Sequence, residues 1–264
     1  MSAAESTVDF NVEREIGYLR FKNPRSFQGL TLDAGRDLRQ ALQSLADNAE
    51  VKVIVLSGAG EYFCTGGSMD LLAQLADSSI ERRKEMLRTM QEIILTIRTV
   101  PALVYAQFEG LAAGAGVDLL LACDQIVASE SAKINFAFSK LHMIPDLGGL
   151  FLMAQRVGHS KALNVYCKSE TLDARAMRAM GILDGDPIAN FESYEWRRAL
   201  RDVLPISKDA LAAAKASLWT LTAPVFERHL ELVTESVSRL LESEQHRNAV
   251  KRTRALQKAV VAKA

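Results

Sequence analysis

Residues 64–69 (CTGGSM) and residues 113–117 (AGAGV) are two glycine-rich stretches whose surroundings decide the fold. Each follows a short apolar run, at residues 51–56 and 103–108, and each precedes a segment with helical spacing. The run at residues 51–56 is rich in β-branched residues, which is typical of a strand buried on both faces. A strand, a glycine loop and a helix, repeated along the chain, predict an α/β fold with crossover connections.

The same periodicities predict the elements on both sides of this region. Alternation of apolar and polar residues predicts a β-hairpin from residues 8–13 and 16–22, and Thr31 is suited to cap the helix that follows. We expect further helices at residues 32–46, 69–76, 80–100 and 117–123, and a strand at residues 125–128. Beyond Leu147 the spacing predicts helices at residues 148–157, 160–167, 174–180, 190–203, 209–220 and 224–258.

The composition limits the classes of protein to which the chain can belong. Its 264 residues carry 32 basic and 32 acidic side chains, so a basic surface for nucleic acid is not expected. The longest apolar stretch, residues 111–128, is interrupted by glycines and aspartates and is a poor membrane span. Residues 1–10 lack the pattern of a secretory signal, so we expect a cytoplasmic protein that binds neither nucleic acid nor membrane. The three cysteines and four histidines show no metal-ligand spacing, so no metal site is expected.

The two glycine-rich stretches can also serve chemistry. Backbone N–H groups at the start of a helix have no intrahelical partner and are free to bind an anion. Two such loops aimed at one oxygen form an oxyanion hole, which stabilises a developing negative charge. The alternative is that the glycines serve tight turns and close packing of helix on sheet, and for either loop alone the residues favour that alternative.

Three motif-bearing segments follow one another along the chain, at residues 63–69, 109–124 and 132–149. In this order they resemble the enoyl-CoA hydratase/isomerase (crotonase) superfamily, and the resemblance extends over residues 8–190. The site pattern is most similar to the enoyl-CoA and dienoyl-CoA isomerases of that superfamily. The resemblance implies a crotonase-like spiral of ββα units over residues 1–195 that binds an acyl-CoA thioester, and a C-terminal helical trimerisation region over residues 196–264. It also implies a homotrimer or a dimer of trimers, and no cofactor, since coenzyme A is part of the substrate.

The motifs of the superfamily assign roles to individual residues of this chain. The resemblance implies that the backbone N–H groups of Gly67 and Ala115 form the oxyanion hole for the thioester oxygen. It places further residues around the ligand, namely Gly66, Ser68, Gly114 and Phe138 at the substrate, and Gln28 and Lys251 at the coenzyme.

Two aspartates are the candidates for acid-base chemistry. Asp118 lies in an apolar stretch, where a carboxylate is costly unless paired, and it matches the aspartate of dienoyl-CoA isomerases. The alternative for Asp118 is a helix N-terminal aspartate that interacts with the local dipole. Asp146 matches an acid used by several isomerases that the chain resembles. Without the resemblance, the residues around Asp146 favour a turn in which it caps a helix starting at Leu147.

Phe138 stands where the hydratases of the superfamily have a second glutamate, which a phenylalanine cannot replace in proton transfer. We therefore expect an isomerase that moves a double bond between the β,γ and α,β positions, with Asp146 as the base and Asp118 as a second acid-base or orienting group. The alternatives are an enoyl-CoA hydratase, a hydrolase or lyase of the superfamily, and a catalytically silent acyl-CoA-binding protein. Asp146 also matches the nucleophile of 4-chlorobenzoyl-CoA dehalogenase, but Thr89 and Phe138 depart from that enzyme's histidine and tryptophan.

Overall fold

The structure is a computed structural model that describes residues 7–22 and 29–261. Its strands are β1 (Val8–Glu13), β2 (Ile16–Phe21), β3 (Val53–Ser57), β4 (Tyr62–Cys64), β5 (Leu103–Phe108), β6 (Leu111–Ala113), β7 (Gln125–Ala128), β8 (Lys133–Asn135) and β9 (Thr171–Asp173). Its helices are α1 (Leu32–Asp47), α2 (Met69–Asp77), α3 (Ile80–Thr99), α4 (Ala115–Ala122), α5 (Gly149–Val157), α6 (His159–Lys168), α7 (Ala174–Met180), α8 (Tyr194–Arg201), α9 (Lys208–Thr220), α10 (Ala223–Leu240) and α11 (Glu244–Val261). A 3₁₀ helix (Ala137–Leu141) lies between β8 and α5.

The strands form two sheets that the chain visits in turn. A five-stranded sheet has the order β1-β2-β3-β5-β7, antiparallel between β1 and β2 and parallel elsewhere. A four-stranded sheet has the order β4-β6-β8-β9, in which the first two pairs are parallel and the last is antiparallel. Three successive strand pairs, β3 with β4, β5 with β6, and β7 with β8, each place one strand in each sheet. This alternation, with helices between the pairs, confirms the predicted α/β spiral of ββα units.

The central strands are buried on both faces, as their apolar sequences predict. On one face of β3, Ile54 and Leu56 belong to the main core, which also contains residues of α1, α3, α4 and α10. On the other face, Val53 and Val55 pack in a smaller cluster with Trp196 of α8. The main core therefore extends from the spiral into the C-terminal helices.

Short strands are the elements that the sequence does not predict. The strands of the four-stranded sheet, β4, β6, β8 and β9, have three residues each, which is too few to show a period of two. The helix predicted at residues 190–203 begins only at Tyr194, because Ser193 caps it by accepting the Trp196 N–H at 3.4 Å.

The prediction of one helix over residues 224–258 is wrong. Helix α10 ends at Leu240, and α11 begins at Glu244 after a turn. Ser243 starts the second helix, since its Oγ accepts the His246 N–H at 3.2 Å. The turn contains neither proline nor glycine, and for that reason the apolar spacing of the sequence continues through it. As a result α11 packs against the 3₁₀ helix.

None of the helices in the described ranges is both long enough and apolar enough to span a lipid bilayer.

Candidate active site

The two glycine-rich loops meet at the carboxyl ends of β4 and β6. Gly66 has a positive φ of 85°, and a Cβ there would lie 3.0 Å from the Ala113 carbonyl oxygen and 3.1 Å from the Ala115 nitrogen. Leu30 fixes the first loop from its other side, because it donates to Gly66 O and accepts from Ser68 N, each at 2.7 Å. Glycine at position 66 therefore serves both the turn and the close approach of the two loops.

Two residues of these loops with unpaired backbone donors line the same cavity. Gly67 and Ala115 both line it, and within residues 7–22 and 29–261 neither N–H donates a hydrogen bond. Ala115 is the first residue of α4, where a free N–H is expected. An anionic oxygen between the loops would have two donors available.

The cavity has a volume of about 270 Å³ and is predominantly apolar. Side chains of α2 and α3 form much of its wall, namely Leu71, Leu72, Leu75, Met86, Leu87 and Met90. Among the described residues, the titratable side chains that line it are Asp146 and His246. Phe138 of the 3₁₀ helix also lines it, with its ring edge-on to Phe136 at 5.4 Å between centroids.

Asp146 lines the cavity and does not cap a helix. Helix α5 begins at Gly149, and its N-cap residue is Gly148, which has no side chain to offer. The Oδ1 atom of Asp146 is buried and has no hydrogen-bond partner among the described residues. Burial raises the pKa of Asp146 to about 6, although its own backbone N–H opposes the rise. A carboxyl group with this pKa can exchange protons near neutral pH.

The peptide group after Asp146 is held at both ends. Gln91 of α3 donates from Nε2 to the Asp146 carbonyl oxygen at 2.9 Å. The Leu147 N–H donates to Asp118 Oδ2 at 3.1 Å. Gln91 is itself fixed by Thr234 of α10, at 3.1 Å from Nε2 to Oγ1. These contacts fix the backbone from which the Asp146 side chain enters the cavity.

Asp118 lies below this loop, in the first turn of α4, and is fully buried. It is not among the residues that line the cavity. Burial, and secondly the charge of Asp146, raise its pKa well above the usual range, while the N–H groups of Leu147 and Gly149 oppose the rise. Its Oδ1 rests against Gly149 without a well-formed hydrogen bond, and a Cβ at position 149 would overlap that oxygen.

The other residues singled out in the sequence lie in different surroundings. Gly66 and Gly114 line the cavity, whereas Ser68 caps α2 by accepting the Leu71 N–H at 3.1 Å and lies outside the lining. Lys251 is exposed on α11. Gln28 lies outside the described residues.

Two residues near the site, Gln91 and His246, are not predicted by the sequence. The contact of Gln91 with Asp146 spans 55 positions, and that of His246 with Leu141 spans 105 positions. Neither residue lies in a recognisable motif, so a single sequence contains no signal that would find them. Across the described ranges, no group of three or more His, Cys, Asp or Glu side chains is placed to hold a metal ion.

Known proteins resemble this chain in both sequence and fold. The chain is 29% identical to a probable enoyl-CoA hydratase of Rhodobacter capsulatus over 213 residues. This match covers 79% of each chain. It is also 29% identical over 182 residues, 66% of each chain, to a peroxisomal Delta(3,5)-Delta(2,4)-dienoyl-CoA isomerase of Arabidopsis thaliana. The fold matches the crystal structure of an enoyl-CoA hydratase from Bacillus halodurans with a TM-score of 0.88, at 24% identity, over 94% of this chain and 100% of that one.

A family profile described as enoyl-CoA hydratase/isomerase matches residues 11–258, which is nearly the whole sequence. The order of the motifs, the spiral of ββα units and this match agree with one another. The chain therefore belongs to the enoyl-CoA hydratase/isomerase family.

Proposed function

We propose that this protein is an acyl-CoA isomerase that shifts a double bond between the β,γ and α,β positions. The observation that carries the proposal is Asp146, whose buried Oδ1 has no partner among the described residues, in an apolar cavity shared with two free backbone donors. Isomerisation of this kind needs one base that can take a proton and return it, together with stabilisation of the intermediate anion. The cavity supplies both from this chain.

In the proposed reaction, the Asp146 carboxylate removes a proton from the α-carbon of a β,γ-unsaturated thioester. The electron pair of that C–H bond moves toward the carbonyl and gives a dienolate. Its oxygen accepts hydrogen bonds from the N–H groups of Gly67 and Ala115. The Asp146 carboxylic acid, whose proton can exchange with solvent, then delivers a proton to the γ-carbon, which leaves the double bond between the α- and β-carbons. No metal or redox cofactor takes part in these steps.

The lining of the cavity favours isomerisation over hydration. Adding water across a double bond calls for a group that activates the water and a group that delivers a proton to carbon. In the described part of the chain, Asp146 is the carboxylate that lines the cavity. Phe138 also lines it, at the position where the resemblance implies the second glutamate of the hydratases. Since relatives of this chain include hydratases and isomerases, the reaction itself has to be measured. Asp118, with its hydrogen bond from Leu147, would act mainly by orienting the Asp146 loop.

The test is deuterium exchange. Wild-type protein is incubated in heavy water with a panel of 3-enoyl-CoA and 2-enoyl-CoA thioesters, and mass spectrometry follows deuterium uptake and double-bond position. We expect Asp146→Asn to slow exchange by about 10²- to 10⁴-fold, because that range is typical for loss of one general base. Asp118→Asn is the matched control and should lose less.

Three results would contradict the proposal. Full exchange by Asp146→Asn together with its loss in Asp118→Asn would move the base to Asp118. Binding of acyl-CoA without any deuterium uptake by the wild type would favour the catalytically silent acyl-CoA-binding protein. Efficient hydration of crotonyl-CoA by the wild type would favour the hydratase alternative.

A further inference from the structure

His246 is a buried histidine that lines the proposed acyl cavity and has no part in the chemistry described above. It lies in the first turn of α11 and is only 1% exposed. Together with Val250 and Thr253 it forms the face of α11 that closes the cavity, at the helical spacing of four and three residues.

One hydrogen bond fixes both the orientation and the tautomer of this ring. Nδ1 lies 2.8 Å from the Leu141 carbonyl oxygen. A carbonyl oxygen only accepts hydrogen bonds, so Nδ1 carries the proton and donates it. In the neutral imidazole, Nε2 is then left with a lone pair. Within the described residues this Nε2 has no partner.

The position of His246 relative to the oxyanion loops follows from the 3₁₀ helix. Phe138 lies near the start of that helix and packs close to Gly114 of the second glycine loop. Leu141 ends the helix and holds His246. A 3₁₀ helix rises about 2 Å per residue, so these two points are about 6 Å apart along its axis. His246 therefore lines the same cavity as the glycine loops, and it is held at the end of the 3₁₀ helix opposite to Phe138.

We propose that His246 is a specificity-determining residue, whose Nε2 accepts a hydrogen bond from a hydroxyl group on the acyl chain. The inference rests on the proposed function, since it takes the cavity to hold an acyl-CoA thioester. A hydroxyl group fits because it is a donor without charge. A carboxylate does not fit, because no lysine or arginine lines the cavity among the described residues and Asp146 would repel it.

The test measures binding without turnover. Saturated medium-chain acyl-CoAs, which cannot isomerise, are titrated calorimetrically against wild-type protein. Each unsubstituted thioester is compared with chains of the same length that bear one hydroxyl group at successive carbons. For at least one position of the hydroxyl group, we expect the thioester to bind about two- to tenfold more tightly to the wild type than to a variant that lacks Nε2. One net hydrogen bond accounts for a difference of this size.

Two substitutions separate recognition from structure. His246→Asn keeps an amide N–H at the position of Nδ1, and so the bond to Leu141, but removes the acceptor at Nε2. His246→Gln loses the bond to Leu141 but offers an amide oxygen near the position of Nε2. We expect the preference for the hydroxyl group to disappear in His246→Asn and to return in part in His246→Gln. His159→Asn, on the exposed first residue of α6, is the control and should behave as the wild type.

The outcomes also separate this inference from the proposed function. If acyl-CoAs bind but the wild type shows no preference for any hydroxyl position, His246 does not read the acyl chain. A preference that survives in His246→Asn and is lost in His246→Gln would assign the residue a structural role alone. Tighter binding of ω-carboxyacyl-CoA than of the hydroxylated chain would overturn the choice of ligand. If the wild type binds no acyl-CoA, the proposed function fails together with the inference.

Discussion

The raised pKa of Asp146 suits it to proton transfer, but it also makes the stability of the fold depend on pH. Its pKa in the folded protein is about 6, compared with 3.8 for an unperturbed aspartate. The folded protein therefore holds this proton to higher pH than the unfolded chain does. The stabilisation that results is complete below pH of about 4 and is lost as the pH rises through about 6. Above that range the ionised buried carboxylate destabilises the fold.

Asp146→Asn has no such proton to lose, so its stability relative to the wild type should rise with pH. We expect the difference in free energy of unfolding to grow between pH of about 4 and about 6 and then to level, at about 1–3 kcal/mol in favour of the variant. Urea unfolding of both proteins across this range measures it. Parallel pH curves for the two proteins would contradict the raised pKa.

Phe138 offers a test of the proposed distinction between isomerase and hydratase. Its ring lines the cavity and is 8% exposed, so Phe138→Glu would place a second carboxyl group there. We expect crotonyl-CoA hydration to appear in Phe138→Glu, while the wild type shows little. Phe138→Gln is the matched control, because it is polar and of similar size to glutamate but cannot deliver a proton. Equal hydration by the glutamate and glutamine variants would show that position 138 does not supply the acid.

The residues of the site differ in how far the sequence predicts them. Gly67, Ala115 and Asp146 lie in ordered motifs, and the resemblance to the superfamily locates them without a structure. Gln91 and His246 depend on contacts between segments far apart in the chain. Their side chains are ordinary for the helices that carry them. Only the packing of α3 and α11 gives them a position at the site.

Among the strands and helices, the sequence best predicts those that are long enough to show a clear period of apolar residues. Strand β5 and helix α7 have the predicted bounds, because their patterns are strong and their ends are marked by proline, glycine or a capping residue. The three-residue strands of the second sheet are fixed by pairing with neighbours that lie far away in the sequence. The break between α10 and α11 depends on a serine cap and on long-range contacts, which the apolar spacing does not reveal.

Arg83 of α3 shows how such a break is stabilised. Its side chain is 5% exposed and donates to carbonyl oxygens in the last turns of two helices. These acceptors are Leu75 O at 2.7 Å and Ala76 O at 2.8 Å in α2, and Ser238 O at 3.1 Å in α10. It also pairs with Glu242 in the turn, at 2.9 Å. One guanidinium thus joins α2, α3 and the α10–α11 turn.

Arg83→Met should leave these buried carbonyl groups without a donor. We expect a loss of about 2–3 kcal/mol in the free energy of unfolding, as is usual for unsatisfied buried polar groups. The neighbouring Arg82→Met is the control, because Arg82 forms only an exposed pair with Glu85 and should change stability by less than about 0.5 kcal/mol. Chemical denaturation of the wild type and the two variants measures these free energies of unfolding. Equal losses for both variants would rule out the role assigned to Arg83.

For the whole molecule, the C-terminal helices leave large apolar side chains at the surface. Leu218, Leu221, Val225 and Leu232 of the α9–α10 segment are each at least 60% exposed. Exposed apolar residues concentrated in one segment favour the use of that segment for association. We expect a trimer or a dimer of trimers with closed symmetry.

Sedimentation equilibrium at micromolar concentration measures this assembly. The wild type should have three or six times the mass of the chain. Replacement of Leu221 and Val225 by glutamate should lower that mass, because it places charges within the apolar surface. A monomeric wild type would contradict the prediction.

The turn between α10 and α11 also has a consequence for how members of such a family diverge. With the roles proposed above, it separates the segment that contains Asp146 and would supply proton transfer from the segment that lines the cavity through His246, Val250 and Thr253. Genetic recombination at this turn would then exchange the preference for an acyl chain while the reaction stayed the same. New substrates would be acquired by inheriting a different last helix, without any change in the loops that carry Gly67, Ala115 and Asp146.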